Sequence, residues 1–89
     1  MQLNREEELL VVLQEECGEL VQAIAKLNRF GKTDLNMKNI ESEMGDVFAL
    51  CKILMEEGYI NPEAIMKAGD RKIEKLKKYM KNPAPDLTD

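Results

Sequence analysis

Leu10, Leu13, Cys17, Leu20, Ile24 and Leu27 follow one another at spacings of three, four, three, four and three residues. Such a series keeps one face of a helix apolar, whereas a strand would alternate at every second residue. Asn4, with Glu7 three positions on, predicts a capped start, and Arg29, Phe30 and Gly31 predict the stop, so a first helix is expected over residues 4 to 30. Met37, Ile40, Met44, Val47, Cys51 and Leu54 repeat the same spacing up to Glu56, Glu57 and Gly58, with Thr33 or Asn36 able to cap the start. A third helix is expected from Asn61 and Pro62, because Asn caps well and Pro suits the first helical position. Its apolar face, Ile65, Ile73, Leu76 and Met80, is weaker, and Lys67, Arg71, Lys72, Lys75, Lys77, Lys78 and Lys81 surround it until Asn82, Pro83 and Pro85 end it.

The pattern therefore predicts an all-α fold, an antiparallel helical bundle of about three helices per chain. Residues 1–82 are expected to form one domain and 83–89 a polar tail. The two short connections make successive helices antiparallel neighbours. Helix 1 also carries Leu9, Val11, Val12, Val21, Ala23 and Ala25 on its other sides. A helix apolar on several faces must be covered on several faces. A homo-oligomer, dimer or tetramer, with helix 1 near its centre, is the expectation.

Composition narrows the chemistry. The 89 residues contain no His and no Trp. This removes the usual general base, the usual zinc ligand and the Glu-x-x-His pairs of di-iron bundles. Carboxylates, amines, guanidinium groups and thiols remain. The net charge of −4 argues against a nucleic-acid partner, which normally meets a basic surface. Residues 1–30 hold six acids and three bases, residues 31–58 the same, and residues 59–89 five acids and seven bases. An acidic front and a basic end can hold a cation and a phosphate together. No apolar run approaches the roughly 20 residues needed to span a bilayer, and no secretory signal is recognisable, so a cytoplasmic protein without a membrane partner is expected. Cys17 and Cys51 fit neither a zinc spacing nor a disulfide framework, and their seam positions predict buried packing.

The chemistry-bearing positions are Glu15, Glu16 and Glu19 on helix 1 and Glu43 and Asp46 on helix 2. With Leu10, Cys17, Ile24, Met37, Met44 and Cys51 at heptad position a, Glu16 and Glu43 both fall at g, and Glu19 and Asp46 both fall at c. The g flanks of an antiparallel pair face each other, so four carboxylates are expected to converge beside the seam. Their mutual repulsion calls for a neutralising cation. Oxygen-only ligands suit a hard ion, Mg²⁺ first and Mn²⁺ second. Residues three apart on a helix are neighbours and can aim at one ion. The competing reading is a solvated acidic face on a non-catalytic helical module that binds a partner or a nucleotide. Two carboxylate pairs at matched spacing favour the metal site.

Glu15, Glu16, Cys17, Gly18 and Glu19 read E-E-x-x-E, and Glu43, Met44, Gly45 and Asp46 read E-x-x-D, with 23 residues between them. This pairing resembles the signature of the MazG-like all-α nucleoside triphosphate pyrophosphohydrolases, in particular their small single-domain, phage-type members. The likeness covers roughly residues 9 to 81. It implies Mg²⁺-dependent cleavage of a nucleoside triphosphate between its α and β phosphates, giving the monophosphate and pyrophosphate. Glu16, Glu19, Glu43 and Asp46 would be the metal ligands. Glu15 would orient or deprotonate the attacking water or reach a second metal, and Glu16 would share in catalysis. Phosphoryl transfer depends on positioning and charge neutralisation, so a chain without His can perform it.

Lys72 and Lys75 lie in a stretch resembling the family's Lys-rich last helix and would hold the β and γ phosphates, with Lys26, two turns beyond Glu19, as a further candidate. Asp70, Arg71 and Lys72 depart from the Asn-x-Lys found in many relatives. The plainer expectation for the lysines is a solubilising surface and ion pairs such as Glu63 with Lys67 and Glu74 with Lys78. Phe30, Phe48, Tyr59 and Tyr79 are the aromatics able to stack on a base, and Phe30 or Phe48 can instead pack in the core.

Overall fold

A computed structural model describes residues 2–85 and contains three helices: α1 (Arg5–Phe30), α2 (Asp34–Glu56) and α3 (Pro62–Tyr79). The fold is all-α. Each start follows from a side-chain cap. Asn4 accepts from the Glu7 backbone N–H at 2.8 Å while Glu7 accepts from the Asn4 N–H at 3.0 Å, a complete capping box. Thr33, rather than Asn36, caps α2 by accepting the Asn36 N–H at 3.1 Å. Asn61 accepts from Glu63 and Ala64, with Pro62 opening α3.

Gly31, at φ 100°, and Gly58, at φ 82°, turn the chain after α1 and α2 in a region that L side chains avoid. At the first turn Asn36 Nδ2 donates to the Gly31 carbonyl at 2.8 Å, which ties the start of α2 to the end of α1. At the open end Arg5 grips Glu57 in two parallel bonds, Nε to Oε1 at 2.5 Å and Nη2 to Oε2 at 2.6 Å. The antiparallel hairpin is thus fastened at both ends.

The hairpin seam lies a step round α1 from the predicted one, whereas in α2 it is the predicted one, Met44 excepted, widened to take in Asn36, Glu43 and Leu50. In α1 the covered positions are Glu6, Leu9, Val12, Leu13, Glu16, Leu20, Ala23 and Leu27, and in α2 they are Asn36, Met37, Ile40, Glu43, Val47, Leu50, Cys51, Ile53, Leu54 and Met55. Leu13, Leu20 and Leu27 with Met37, Ile40, Val47, Cys51 and Leu54 belong to both seams. Leu10, Cys17 and Ile24, expected inside, are exposed, as is Met44. Buried Cys packing is therefore corrected: Cys17 is exposed and Cys51 half-buried. The cause is that α1 and α2 are apolar on two adjacent faces. The hairpin closes on the face that carries the small Ala23, leaving the other face open. Phe48 stays on the outside at 74% exposure, so it is not a core residue of this chain.

α3 stands apart. Apart from the half-buried Leu76, every residue of it is exposed, and the close helix-to-helix packing is between α1 and α2. Glu74 pairs with Lys77 at 2.8 Å instead of Lys78, and among the described residues Glu63 makes no ion pair with Lys67. Met80, expected on the apolar face, is the residue after the last turn. Residues 80–85 are non-helical and exposed, and residues 86–89 of the expected tail lie outside the described part.

Candidate metal centre

Glu16 and Glu43 sit within the seam, not on its flank. In each helix the residue three positions on, Glu19 or Asp46, falls on the same edge of the hairpin, because antiparallel neighbours bring equivalent flanks together. One carboxylate oxygen from each of Glu16, Glu19 and Glu43 lies within 4.8 Å of the others. Asp46 stands outside that close group, yet its charge acts on both Glu16 and Glu43. Glu15 is exposed and is not one of the three grouped carboxylates.

Glu16 Oε2 and Glu43 Oε2 are shut off from solvent and have no hydrogen-bond partner. Burial, followed by the charges of Glu19, Asp46 and Glu43, raises the Glu16 carboxyl above the ordinary carboxylate range. Burial also leads for Glu43, reinforced by Glu19 and then Asp46, and shifts it in the same direction. None of the ion pairs among the described residues involves these groups. Buried acceptors of one sign without donors are costly unless something positive meets them. A hard divalent cation fits this donor set: the available atoms are all carboxylate oxygens, and three side chains leave coordination positions for water or phosphate.

A cleft of about 420 Å³ opens beside the cluster, lined by Glu19, Gln22, Ala23, Lys26, Asn36, Asn39 and Glu43. The structure therefore brings Lys26 to the carboxylates, as its position two turns after Glu19 suggested. Lys72 and Lys75 are not brought there. They line a separate surface hollow on α3 with Leu76, Lys78 and Tyr79. Gln22 and Asn39 were missed by sequence reasoning. Their signal was available, since Glu19, Gln22 and Lys26 follow one helical stripe, and Asn36, Asn39 and Glu43 follow another.

The site is thus an acidic cluster in the seam of a two-helix hairpin, with a polar cleft at its edge, in an all-α protein. The MazG nucleotide pyrophosphohydrolase domain matches residues 4–81, and the chain belongs to that family. No curated protein and no solved structure matches it. Among the described residues, no helix is long and apolar enough to cross a membrane.

Proposed function

We propose that this protein is a Mg²⁺-dependent pyrophosphohydrolase that adds water across the α–β anhydride of a ribo- or deoxyribonucleoside triphosphate, releasing the monophosphate and pyrophosphate. Mn²⁺ substitutes for Mg²⁺ in this reading. The observation that carries it is the convergence of Glu16, Glu19 and Glu43, with unpartnered buried oxygens, in a chain of this family.

Glu16, Glu19 and Glu43 hold the cation, and Asp46 completes the set from the neighbouring turn. When bound, the cation offsets phosphate charge and lowers the pKa of water. Glu15, next to Glu16 and open to solvent, orients or deprotonates the attacking water. Lys26 provides a positive charge in the cleft beside the carboxylates, where it meets a phosphate oxygen. Gln22 and Asn39 offer amide donors and acceptors along the same wall. Lys72 and Lys75 stand apart from this chain's own cleft and would reach the outer phosphates at the cleft of a neighbouring copy. The working form is a cytoplasmic homo-oligomer, dimer or tetramer, with neither nucleic acid nor membrane as partner.

Incubation with each common and modified NTP and dNTP, with Mg²⁺ and with Mn²⁺, tests this directly. Pyrophosphate and monophosphate in equal amounts are expected from at least one substrate. Absence of pyrophosphate from all of them, with the protein folded by circular dichroism, overturns the reading.

A further inference from the structure

The carboxylate cluster occupies one end of the cleft, and the other end runs to the turn between α1 and α2. On α1 the cleft is lined by Glu19, Ala23 and Lys26, with Gln22 beside them. At 100° per residue Glu19, Ala23 and Lys26 fall within about 60° of one another, and Phe30 lies inside that stripe, about 20° from Glu19. On α2 the lining reaches back from Glu43 to Asn36, whose side-chain amide donates to the carbonyl of Gly31, the residue after Phe30. The cleft therefore ends beside Phe30.

This ring has no place in the hairpin's own packing. It is 69% exposed at the last position of α1, and the positive φ of Gly31 turns the chain away directly after it. The Arg29 guanidinium stands over the ring, 5.8 Å from its centroid, which is a cation–π contact. Aromatic rings and guanidinium planes are the surfaces on which nucleobases stack.

The other three aromatic side chains lie elsewhere. Phe48 is about 140° round α2 from Glu43, away from the cleft. Tyr59 follows α2 at the opposite end of the hairpin, where its N–H donates to the Leu54 carbonyl. Tyr79 lines the separate hollow on α3. From Glu19 to Phe30 is a run of eleven residues, about 16 Å along α1, a reach that an extended nucleoside triphosphate covers from phosphates to base. Between the two ends the walls carry Gln22, Lys26 and Asn39, which suit ribose and phosphate oxygens better than an apolar ring.

We infer that Phe30, backed by Arg29, is the stacking platform for the nucleobase, so that a bound nucleoside triphosphate lies along the cleft with its phosphates at Glu16, Glu19 and Glu43 and its base at the α1–α2 turn. This rests on the reading of the cleft as a nucleotide site and adds which end takes the base and which side chain meets it. Stacking uses the ring face, which every base has. The platform therefore separates nucleotides from inorganic polyphosphates rather than one base from another.

The chain has no Trp, so Phe30→Trp places a single indole reporter at the platform. With Mg²⁺ present, α,β-methylene analogues of the nucleoside triphosphates, which resist cleavage at that bond, should quench its emission, whereas inorganic tripolyphosphate should not. By calorimetry, Phe30→Leu should bind the analogues at least about fivefold more weakly than wild type, and Phe30→Tyr should bind them like wild type. The Mg²⁺-dependent melting shift should be the same in all three. Equal quenching by tripolyphosphate, which would put the phosphates at the turn, overturns the inference. Wild-type affinity in Phe30→Leu, loss of the Mg²⁺ shift together with affinity, or no analogue bound to wild type also overturns it. Should the Trp variant fail to fold, the Leu and Tyr variants decide. Base stacking without release of pyrophosphate from the cleavable triphosphates overturns the hydrolysis reading and leaves this inference standing.

Discussion

Glu16 and Glu43 face each other across the α1–α2 seam in layers that the neighbouring turns fill with Leu13, Leu20, Ile40 and Val47. Each keeps one carboxylate oxygen away from water and unpaired. A packing position has been given to a charge on both helices, at the place where the family signature falls. Burying like charges there costs stability, which a bound cation would offset.

Glu16→Gln and Glu43→Gln should therefore raise the melting temperature of the metal-free protein, because each removes a buried charge repelled by its neighbours. Each should also shrink the stabilisation produced by Mg²⁺, since ligand binding to the folded state adds stability in proportion to affinity. Pyrophosphate release, the activity proposed above, should fall at least about 100-fold, more than loss of an outer partner of a metal ligand usually costs. Thermal melts with and without Mg²⁺, beside a pyrophosphate assay, read all three.

Lys26→Ala should act differently. Lys26 shares the cleft with Glu19 and Glu43 but donates no oxygen to a cation. Losing one charge-assisted contact to a phosphate should raise KM about tenfold or more while the Mg²⁺-dependent melting shift stays unchanged. Steady-state kinetics with a Mg²⁺ melt separates this outcome from damage to the metal site.

The Arg5–Glu57 clasp predicts a pH effect. The hydrogen bond and charge of Arg5 hold the Glu57 carboxyl below the ordinary carboxylate range. The unfolded chain then binds a proton more readily than the folded one as pH falls, so the pair's stabilisation is present above the unfolded carboxylate pKa and is lost as pH drops through the depressed folded value. Glu57→Gln should melt below wild type near neutral pH, and the gap should close as pH falls through the depressed folded value. The clasp is partly exposed, so added salt should also narrow the gap.

Leu54 is 2% exposed at the last full turn of α2, and its carbonyl accepts from the Tyr59 and Ile60 N–H groups. Leu54→Ala should destabilise the hairpin by about 2–5 kcal/mol through lost burial and the cavity left behind. Urea unfolding measures it. An exposed control such as Leu35→Ala should shift the midpoint far less.

The sequence alone determined the three helices, the caps of α1 and α3, and three carboxylates that converge, Glu16, Glu19 and Glu43, while the α2 cap stayed open between Thr33 and Asn36 and Asp46 falls outside the close group. Those features are local: Asn4 and Glu7 cap each other within one turn, Gly31 ends a helix by its own backbone freedom, and Glu16 and Glu19 are neighbours on any helix. Tertiary structure decided which of two apolar faces closes the hairpin. Leu10 or Leu9, and Cys17 or Glu16, make nearly equal seams on a periodicity of three and four, so the choice rests on how closely α1 approaches α2. That approach is set by Ala23, by the Asn36 bond to Gly31 and by Arg5 on Glu57, contacts between residues distant in sequence or on different elements. It put Glu16 and Glu43 inside the seam, turned Cys17 and Phe48 outward and opened the Lys26 cleft. It also left α3 without a bed on its own hairpin. Periodicity could reveal that α3 has an apolar face, but only the assembled backbone could show that the face is still uncovered.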